Sequence, residues 1–316
     1  MTLDDIKNEI EMANNIIVLT HENPDGDAIG SSLATYLILK RLGKNVHMVN
    51  SIYPRTYLFL PHSDESLREP VLDKYDLAIS LDCSDIKRLD DPSESFEKAK
   101  VKINIDHHSS NTMFGDYNYV DPVSPACAQI LTMIFDYWNI DIDKEIGTCL
   151  LNGIITDTGG FRYEGVSPDT FEYVSKFLEK GVNLSKIYKQ GMQTISRPRF
   201  EIRNLAASRV EFIEDGKIAY TYLTKKDMDK FGVIRSELDG IVENGRDVEG
   251  VEVSIFLYEI ENGFKASLRS NDYVNVADVC LLFNGGGHIK AAGANLPYSL
   301  EESKERIIAE VKKALR

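Results

Sequence analysis

The sequence predicts an α/β protein, in which an N-terminal domain built on a doubly wound, largely parallel sheet is followed by a smaller α+β C-terminal domain. Three observations carry this. Apolar runs of strand length at residues 16–19, 77–82 and 101–106 lead straight into ionisable side chains. Segments with apolar residues at helical spacing alternate with them. Beyond residue 210 the alternation gives way to consecutive strand-like segments. Strands buried on both faces read as continuous apolar runs, and their alternation with helices builds parallel sheets covered on both sides.

The first strand, residues 16–19, runs into Thr20-His21-Glu22-Asn23-Pro24-Asp25-Gly26-Asp27. Taken alone, this segment is explained equally by an Asn-Pro-Asp-Gly turn with helix-capping aspartates and by a metal site. Residues 28–42 place Ile29, Leu33, Leu37 and Ile38 at helical spacing, and Gly43 is the expected stop. A strand at 45–49 follows, then a Pro-interrupted stretch at 53–71 that reads as loop with a short helix. The strand at 77–82 closes on Asp82, and the one beginning at Val101 closes on Asp106-His107-His108. Helices are expected at 125–138, 144–156 and 168–181, the middle one running into Asp157-Thr158-Gly159-Gly160. In such a sheet the ionisable residues converge at the carboxyl ends of the strands.

Residues 1–182 thus form the first domain, 183–209 a partly helical linker carrying Arg197-Pro198-Arg199, and 210–316 the second domain. There, strands are expected at 217–223, 251–260 and 263–270, and helices at 236–243, 274–283 and 300–315.

At 316 residues, with 43% hydrophobic and 27% charged residues, the chain has the length for two cores and the composition of a soluble protein. Fifty acidic against thirty-six basic residues give a formal charge of −14, which argues against a groove for long duplex nucleic acid. A short anionic substrate remains open if metals and a few arginines neutralise it locally. No apolar run reaches membrane-spanning length and the N-terminus lacks a basic-then-apolar layout, so the expectation is a cytoplasmic protein with no membrane partner. Cys83, Cys127, Cys149 and Cys280 are scattered through apolar stretches and read as reduced core residues.

His21, Asp25, Asp27, Asp82, His107 and Asp157 offer four carboxylates and two imidazoles from four separated segments. A pair of metal ions about 3.5–4 Å apart requires such a set, because carboxylates must hold two cations together against their repulsion. Mixed imidazole and carboxylate ligation without thiolates suits Mn²⁺ first, with Mg²⁺, Co²⁺ or Zn²⁺ behind it. Singly, Asp82 is explained as a helix cap and Asp157 as part of a glycine turn; their shared placement at element ends is what argues for a site. In the second domain, Arg269, flanked by Ser270, has a guanidinium able to grip a phosphate through two hydrogen bonds. The run Gly285-Gly286-Gly287-His288 lets backbone N–H groups approach an anion, although a flexible turn also explains the glycines. Arg162 is a further phosphate-binding candidate that a surface salt bridge explains equally. Fifteen tyrosines offer stacking, core or interface surface without singling out any position.

On these residues the sequence resembles the DHH phosphoesterases, named for the tripeptide found here as Asp106-His107-His108, and within them the branch acting on short oligoribonucleotides and adenosine 3′,5′-bisphosphate (pAp). The family's first motif matches His21 to Asp27, its second Asp82, its third the tripeptide and its fourth Thr156 to Gly159. Ser267-Leu268-Arg269-Ser270, and the glycine run followed by Lys290-Ala291-Ala292-Gly293, match the two signatures of the DHH-associated C-terminal domain, with Asn284 where relatives often carry a further glycine. The resemblance implies one cation on His21, Asp25, Asp82 and Asp157, and another on Asp27, Asp82, His107 and Asp157. It further implies that Asp106 orients a ligating imidazole, that His108 faces the substrate phosphate, and that the C-terminal domain holds the nucleotide. The implied reaction is manganese-dependent hydrolysis of short RNA oligonucleotides to nucleoside 5′-monophosphates, or of the nucleotide bisphosphate pAp to AMP and phosphate. A homodimer is left open. A linear or cyclic dinucleotide phosphodiesterase is the nearest alternative. A non-catalytic nucleotide-binding regulatory module is the alternative of another class, expected to show a replaced ligand where none of the six positions is replaced.

Overall fold

Helix α1 (Leu3–Met12), which the apolar spacing did not single out, begins on a capping box formed by Thr2 and Asp5 and buries Ile6 and Ile10. The computed structural model describes residues 2–89, 92–163 and 165–315, and the chain divides into two units between Thr194 and Ile195.

The first unit continues through β1 (Asn15–Leu19), α2 (Gly26–Arg41), β2 (Asn45–Val49), β3 (Leu77–Leu81), α3 (Ser93–Lys98), β4 (Val101–Asp106) and β5 (Tyr117–Val120). It closes with α4 (Cys127–Tyr137), α5 (Lys144–Asp157), α6 (Pro168–Glu179), α7 (Leu184–Ile187) and a π-helical turn at Tyr188–Gln193. All pairings in its five-stranded sheet are parallel, in the order β2-β1-β3-β4-β5. β3 is buried throughout and β1 everywhere except Asn15, which is why both read as unbroken apolar runs. The chain leaves β1 for β2 on one side and returns to β3 on the other, so the sheet switches direction between β1 and β3. At such a point the loops after neighbouring strands part and open a crevice. His21 follows β1 and Asp82 follows β3.

The second unit comprises α8 (Arg197–Ser208), β6 (Glu211–Ile213), β7 (Ile218–Leu223), α9 (Lys225–Phe231), α10 (Ile241–Arg246), β8 (Val253–Ile260), β9 (Gly263–Ser270), α11 (Val276–Leu281), β10 (Gly286–His288), β11 (Ala291–Leu296) and α12 (Leu300–Ala314). Its six-stranded sheet, β10-β11-β9-β8-β7-β6, is antiparallel except for the β7–β8 pair. The expected linker is helical in part, as α8 shows, and two other expectations change. The helix within the expected linker, α8, buries Ile202 and Ala206 in the same cluster as Leu223, Ile241 and Phe256. The helix expected at 236–243 is instead a 3₁₀ turn at Arg235–Glu237 and α10, separated by Gly240 at φ 85°. The glycine run is a strand rather than an open loop: Gly286 pairs with Gly293 and His288 with Ala291. All four cysteines are buried and unpaired. No helix among the described residues is long and apolar enough to cross a membrane.

Candidate metal centre

Asp25 is the N-cap of α2, and one of its oxygens accepts the N–H groups of Asp27 and Ala28 at 3.0 and 3.1 Å. Its other oxygen lies 3.8 Å from Nε2 of His21. The helix-capping and metal-site readings of this turn therefore both apply, one to each oxygen. Nδ1 of His21 lies 2.6 Å from the carbonyl of Glu22, which makes Nδ1 the donor and leaves the Nε2 lone pair for the centre. The ring of His107 is fixed in the same sense, with Nδ1 3.3 Å from the carbonyl of Ser124.

Asp82 stands between these imidazoles. Its oxygens lie 3.7 Å from Nε2 of His21 and 3.4 Å from Nε2 of His107. The residue is 1% exposed, its backbone is left-handed at φ 53°, and Oδ1 is buried without a hydrogen-bond partner. A buried carboxylate oxygen that forms no hydrogen bond, with Nε2 of His107 the nearest donor at 3.4 Å, is costly and marks a place where a cation is expected.

Asp27 is fully buried on the first turn of α2, where it caps α4 from outside: its oxygens accept the N–H groups of Cys127 at 2.6 Å and Ala128 at 2.9 Å. The positive end of α4 thus offsets part of its charge. Close approach of α2 and α5 brings Asp27 to Asp157. A Cβ on Gly153 would lie 2.6 Å from Oδ1 of Asp27, and one on Gly26 would lie 2.3 Å from Oγ1 of Thr156. Asp157, at the end of α5, then lies 3.3 Å from Nε2 of His107. Ligand atoms of His21, Asp25 and Asp82 gather within 4.8 Å of one another, as do those of Asp27, His107 and Asp157, and those of Asp82, His107 and His108.

The electrostatics are those of a site short of positive charge. Burial, then the neighbouring Asp27, drives the Asp82 carboxyl well above the ordinary range and pushes Asp157 up to about 8. Asp27 is raised as well, chiefly by burial. Burial opposes protonation of His107, but Asp82, Asp27 and Asp157 outweigh it and hold the imidazole up at about 10. His21 is lowered by burial against the pull of Asp25. Divalent cations would relieve this crowding by replacing the protons.

Asp106 is fully buried; one oxygen lies 2.7 Å from Nδ1 of His108 and the other accepts Nδ2 of Asn111 at 2.6 Å. The imidazole that Asp106 orients is therefore His108, not His107. Asn111 was not foreseen. It also donates to Asn104 and to the Cys83 carbonyl, and nothing in its local sequence distinguishes it from a loop asparagine.

The remaining expected residues lie elsewhere. Arg162 follows Asp157 by five positions; its Nε donates to the Gly159 carbonyl at 2.7 Å and its guanidinium lies 5.9 Å from the centre of the Tyr163 ring. In the second unit Arg269 is not a free fork: Nε donates to Glu243 at 3.0 Å and a terminal nitrogen to the Leu268 carbonyl at 3.1 Å. The hydroxyl of Ser270 is buried and donates to the Val274 carbonyl at 2.7 Å, so it serves the turn after β9 rather than facing solvent. Gly285 and Gly287 permit the close approach of β10 to β11, where a Cβ would fall 2.3 Å from the Gly293 carbonyl oxygen and 2.5 Å from that of Ala291. Gly286 and His288 are exposed.

Comparison with known proteins gives a consistent result. Residues 15–154 match the model of the DHH family, N-terminal domain, and residues 215–316 that of the DHHA1 domain. The chain is 36% identical to the bifunctional oligoribonuclease and PAP phosphatase NrnA of Thermus thermophilus, across 95% of this chain and 90% of that one. It is 25% identical to the Bacillus subtilis protein of the same name, across 96% and 95%. A crystal structure of an exopolyphosphatase-related protein from Bacteroides fragilis superposes with a TM-score of 0.92 at 29% identity, covering 98% of this chain and 95% of that one.

Proposed function

We propose, from the premise that this chain belongs to the DHH family, that it is a two-metal phosphoesterase hydrolysing short oligoribonucleotides to nucleoside 5′-monophosphates and pAp to AMP and phosphate. The observation that carries the reading is that the two oxygens of Asp82 face different imidazoles, His21 gathered with Asp25 on one side and His107 gathered with Asp27 and Asp157 on the other. His21, Asp25 and Asp82 would hold one cation and Asp27, His107 and Asp82 the other, with Asp157 available to both. Mixed nitrogen and oxygen donors without a thiolate favour Mn²⁺. Divalent cations bound there supply Lewis acidity toward the phosphoryl oxygens and lower the pKa of water.

The chain's own residues do the rest. The carbonyls of Glu22 and Ser124 keep both ligating imidazoles in the tautomer that presents Nε2. Asp106 holds Nδ1 of His108, leaving Nε2 of that ring to meet the substrate and carry the proton for the leaving oxygen. The names of the two NrnA relatives support short RNA and pAp as the substrates. The four buried, unpaired thiols accord with a cytoplasmic setting.

The test is a Mn²⁺-supplemented assay comparing pAp, a 5′-labelled RNA dimer-to-pentamer series, pApA, cyclic di-AMP and pyrophosphate. Turnover of pAp and short RNA is expected, with 5′-monophosphate products from RNA. No turnover of any substrate would overturn the enzyme reading, and turnover confined to the cyclic substrate would move the protein to the dinucleotide phosphodiesterases.

A further inference from the structure

The second unit carries cations that neither the glycine run nor Arg269 accounts for. We propose that Arg235 and Lys265 extend Arg269 into a phosphate-binding track over β9, β11 and β10, beside the part of the same sheet face that α8 and α10 cover at β8, suited to nucleotides with two or more phosphates and restrained by Glu243. This inference rests on the phosphoesterase reading above and names the substrate feature it selects.

The track follows from alternation along β9. Phe264, Ala266, Leu268 and Ser270 are buried, while Lys265, Ser267 and Arg269 share the opposite, half-exposed face. Lys265 stands opposite Tyr258 of β8, and the guanidinium of Arg235 lies 5.7 Å from the centre of that ring. Arg235 and Lys265 therefore occupy one end of the face. Arg269 occupies the other, four residues along the strand, about 13 Å away at the usual rise.

The surface between them is low. Ser267 pairs with Gly293 of β11, and a Cβ on Gly293 would sit 3.4 Å from Cε of Lys265. Next along is Gly286, paired with Gly293 and with open space where its side chain would be. An anion lying on this face meets backbone and small side chains below and cations at both ends.

Charge makes the arrangement specific. Among the described residues neither Arg235 nor Lys265 is ion-paired, unlike Arg269. Burial and the adjacent Arg235 both disfavour the charged form of Lys265, and the acid nearest this cluster, Asp239, is shared among Arg199, Arg269 and Arg235, so Lys265 has no carboxylate of its own. Glu243 tempers the other end. One of its oxygens takes Nε of Arg269 at 3.0 Å, and the second is buried without a partner. A phosphate reaching Arg269 must share the guanidinium with that carboxylate. A ligand with one phosphate engages one end and leaves readily; a ligand with several spans both. The track thereby favours substrate over mononucleotide product.

The experiment is calorimetric titration of the full chain with pAp and with AMP, in chelator so that no hydrolysis occurs, at two salt concentrations, for wild type, R235A/K265A and E243Q. Loss of two charge-assisted contacts is expected to weaken pAp binding about 10-fold or more, to weaken AMP less, and to flatten the salt dependence. E243Q is expected to tighten pAp about 3-fold or more through removal of a like charge, a change in the opposite sense that simple misfolding cannot mimic. An unchanged pAp affinity in R235A/K265A, equal losses for pAp and AMP, weaker binding by E243Q, or no binding by wild type would each overturn the track. Because no turnover is required, a protein that binds pAp in this pattern yet fails the Mn²⁺ assay would refute the enzymatic reading alone.

Discussion

Oδ1 of Asp82 lies 3.4 Å from Nε2 of His107, and the aspartate that makes this contact is both buried and held at a φ of 53°. Left-handed backbone at a non-glycine residue is strain, retained where the surroundings over-determine it. Here the strain turns the carboxylate at the end of β3 back between two imidazoles, at the cost of placing it beside Asp27.

Asp82→Asn should therefore have opposite effects on function and on stability. Activity should fall by more than the about 100-fold typical of losing a ligand's supporting partner, and metal content should fall with it. The metal-free protein should become more stable by about 1 kcal/mol, or 2–4 °C in Tm, because a buried carboxyl disfavoured by its neighbours is replaced by a neutral amide of the same shape. Metal analysis, kinetics and melting of chelated protein check the three parts. A lower Tm for the chelated variant would contradict the electrostatic account of the centre.

The pH dependence of the metal-free protein has a definite sign. Asp157 binds a proton up to about 8 when folded against 3.8 for the free group, and His107 up to about 10 against 6.5. Both groups hold protons that the unfolded chain releases. Their contributions are fully present below the unfolded values and are lost as pH rises through the folded ones. His21, lowered by burial, acts in the other direction but only as pH falls through its own range. Between pH 7 and 9 the Tm of chelated protein should fall. Mn²⁺ should displace these protons, so that its stabilising effect grows over the same interval and its binding releases protons to the buffer. Melting curves with chelator or Mn²⁺ and calorimetry in two buffers test this; a chelated Tm that rises from pH 7 to 9 would refute it.

Asp106 and Asp82 should separate cleanly in kinetics. Asp106 touches His108 and Asn111, whereas the gathered ligand groups contain Asp82 and not Asp106. Asp106→Asn should retain both metals while losing about 10–100-fold in kcat, with little change in KM. Parallel loss of metal would return Asp106 to the ligand set.

Much of this was legible in the chain because its signals are local. A continuous apolar run ending in His21 or Asp82 states both the strand and the side of the sheet on which its ligand emerges. Asp25 was ambiguous for a physical reason: capping and ligation use the same side chain, and only the positions of its two oxygens show that it does both. What stayed hidden depends on contacts remote in sequence. Asp27 caps α4 across 100 residues. Asn111 acquires its role from Asp106 only after the loop closes. Arg269 looked like a free phosphate fork because its partner, Glu243, comes from another element. The glycine run read as a loop because glycine is a poor strand former, yet the close approach of β10 to β11 requires it at Gly285 and Gly287.

Gly153→Ala tests whether the spacing of two helices sets the metal geometry. The added methyl would meet Oδ1 of Asp27 at 2.6 Å and Cβ of Ala128 at 2.6 Å, and both neighbours are fully buried, so neither can move without shifting α2 or α4. Overpacking of this kind costs about 1–3 kcal/mol, against which the better helix propensity of alanine returns less than 1 kcal/mol. Moving α2 also moves Asp27 relative to Asp157, so metal affinity should fall beyond what the lost stability explains. Gly181→Ala is the control, since its φ of 84° strains an alanine while nothing lies within 4 Å of the new methyl. Both variants should unfold at lower denaturant, but only Gly153→Ala should need more Mn²⁺ for half-maximal activity. Equal Mn²⁺ requirements would mean that the α2–α5 contact supports the fold without setting the distance between the metal ligands.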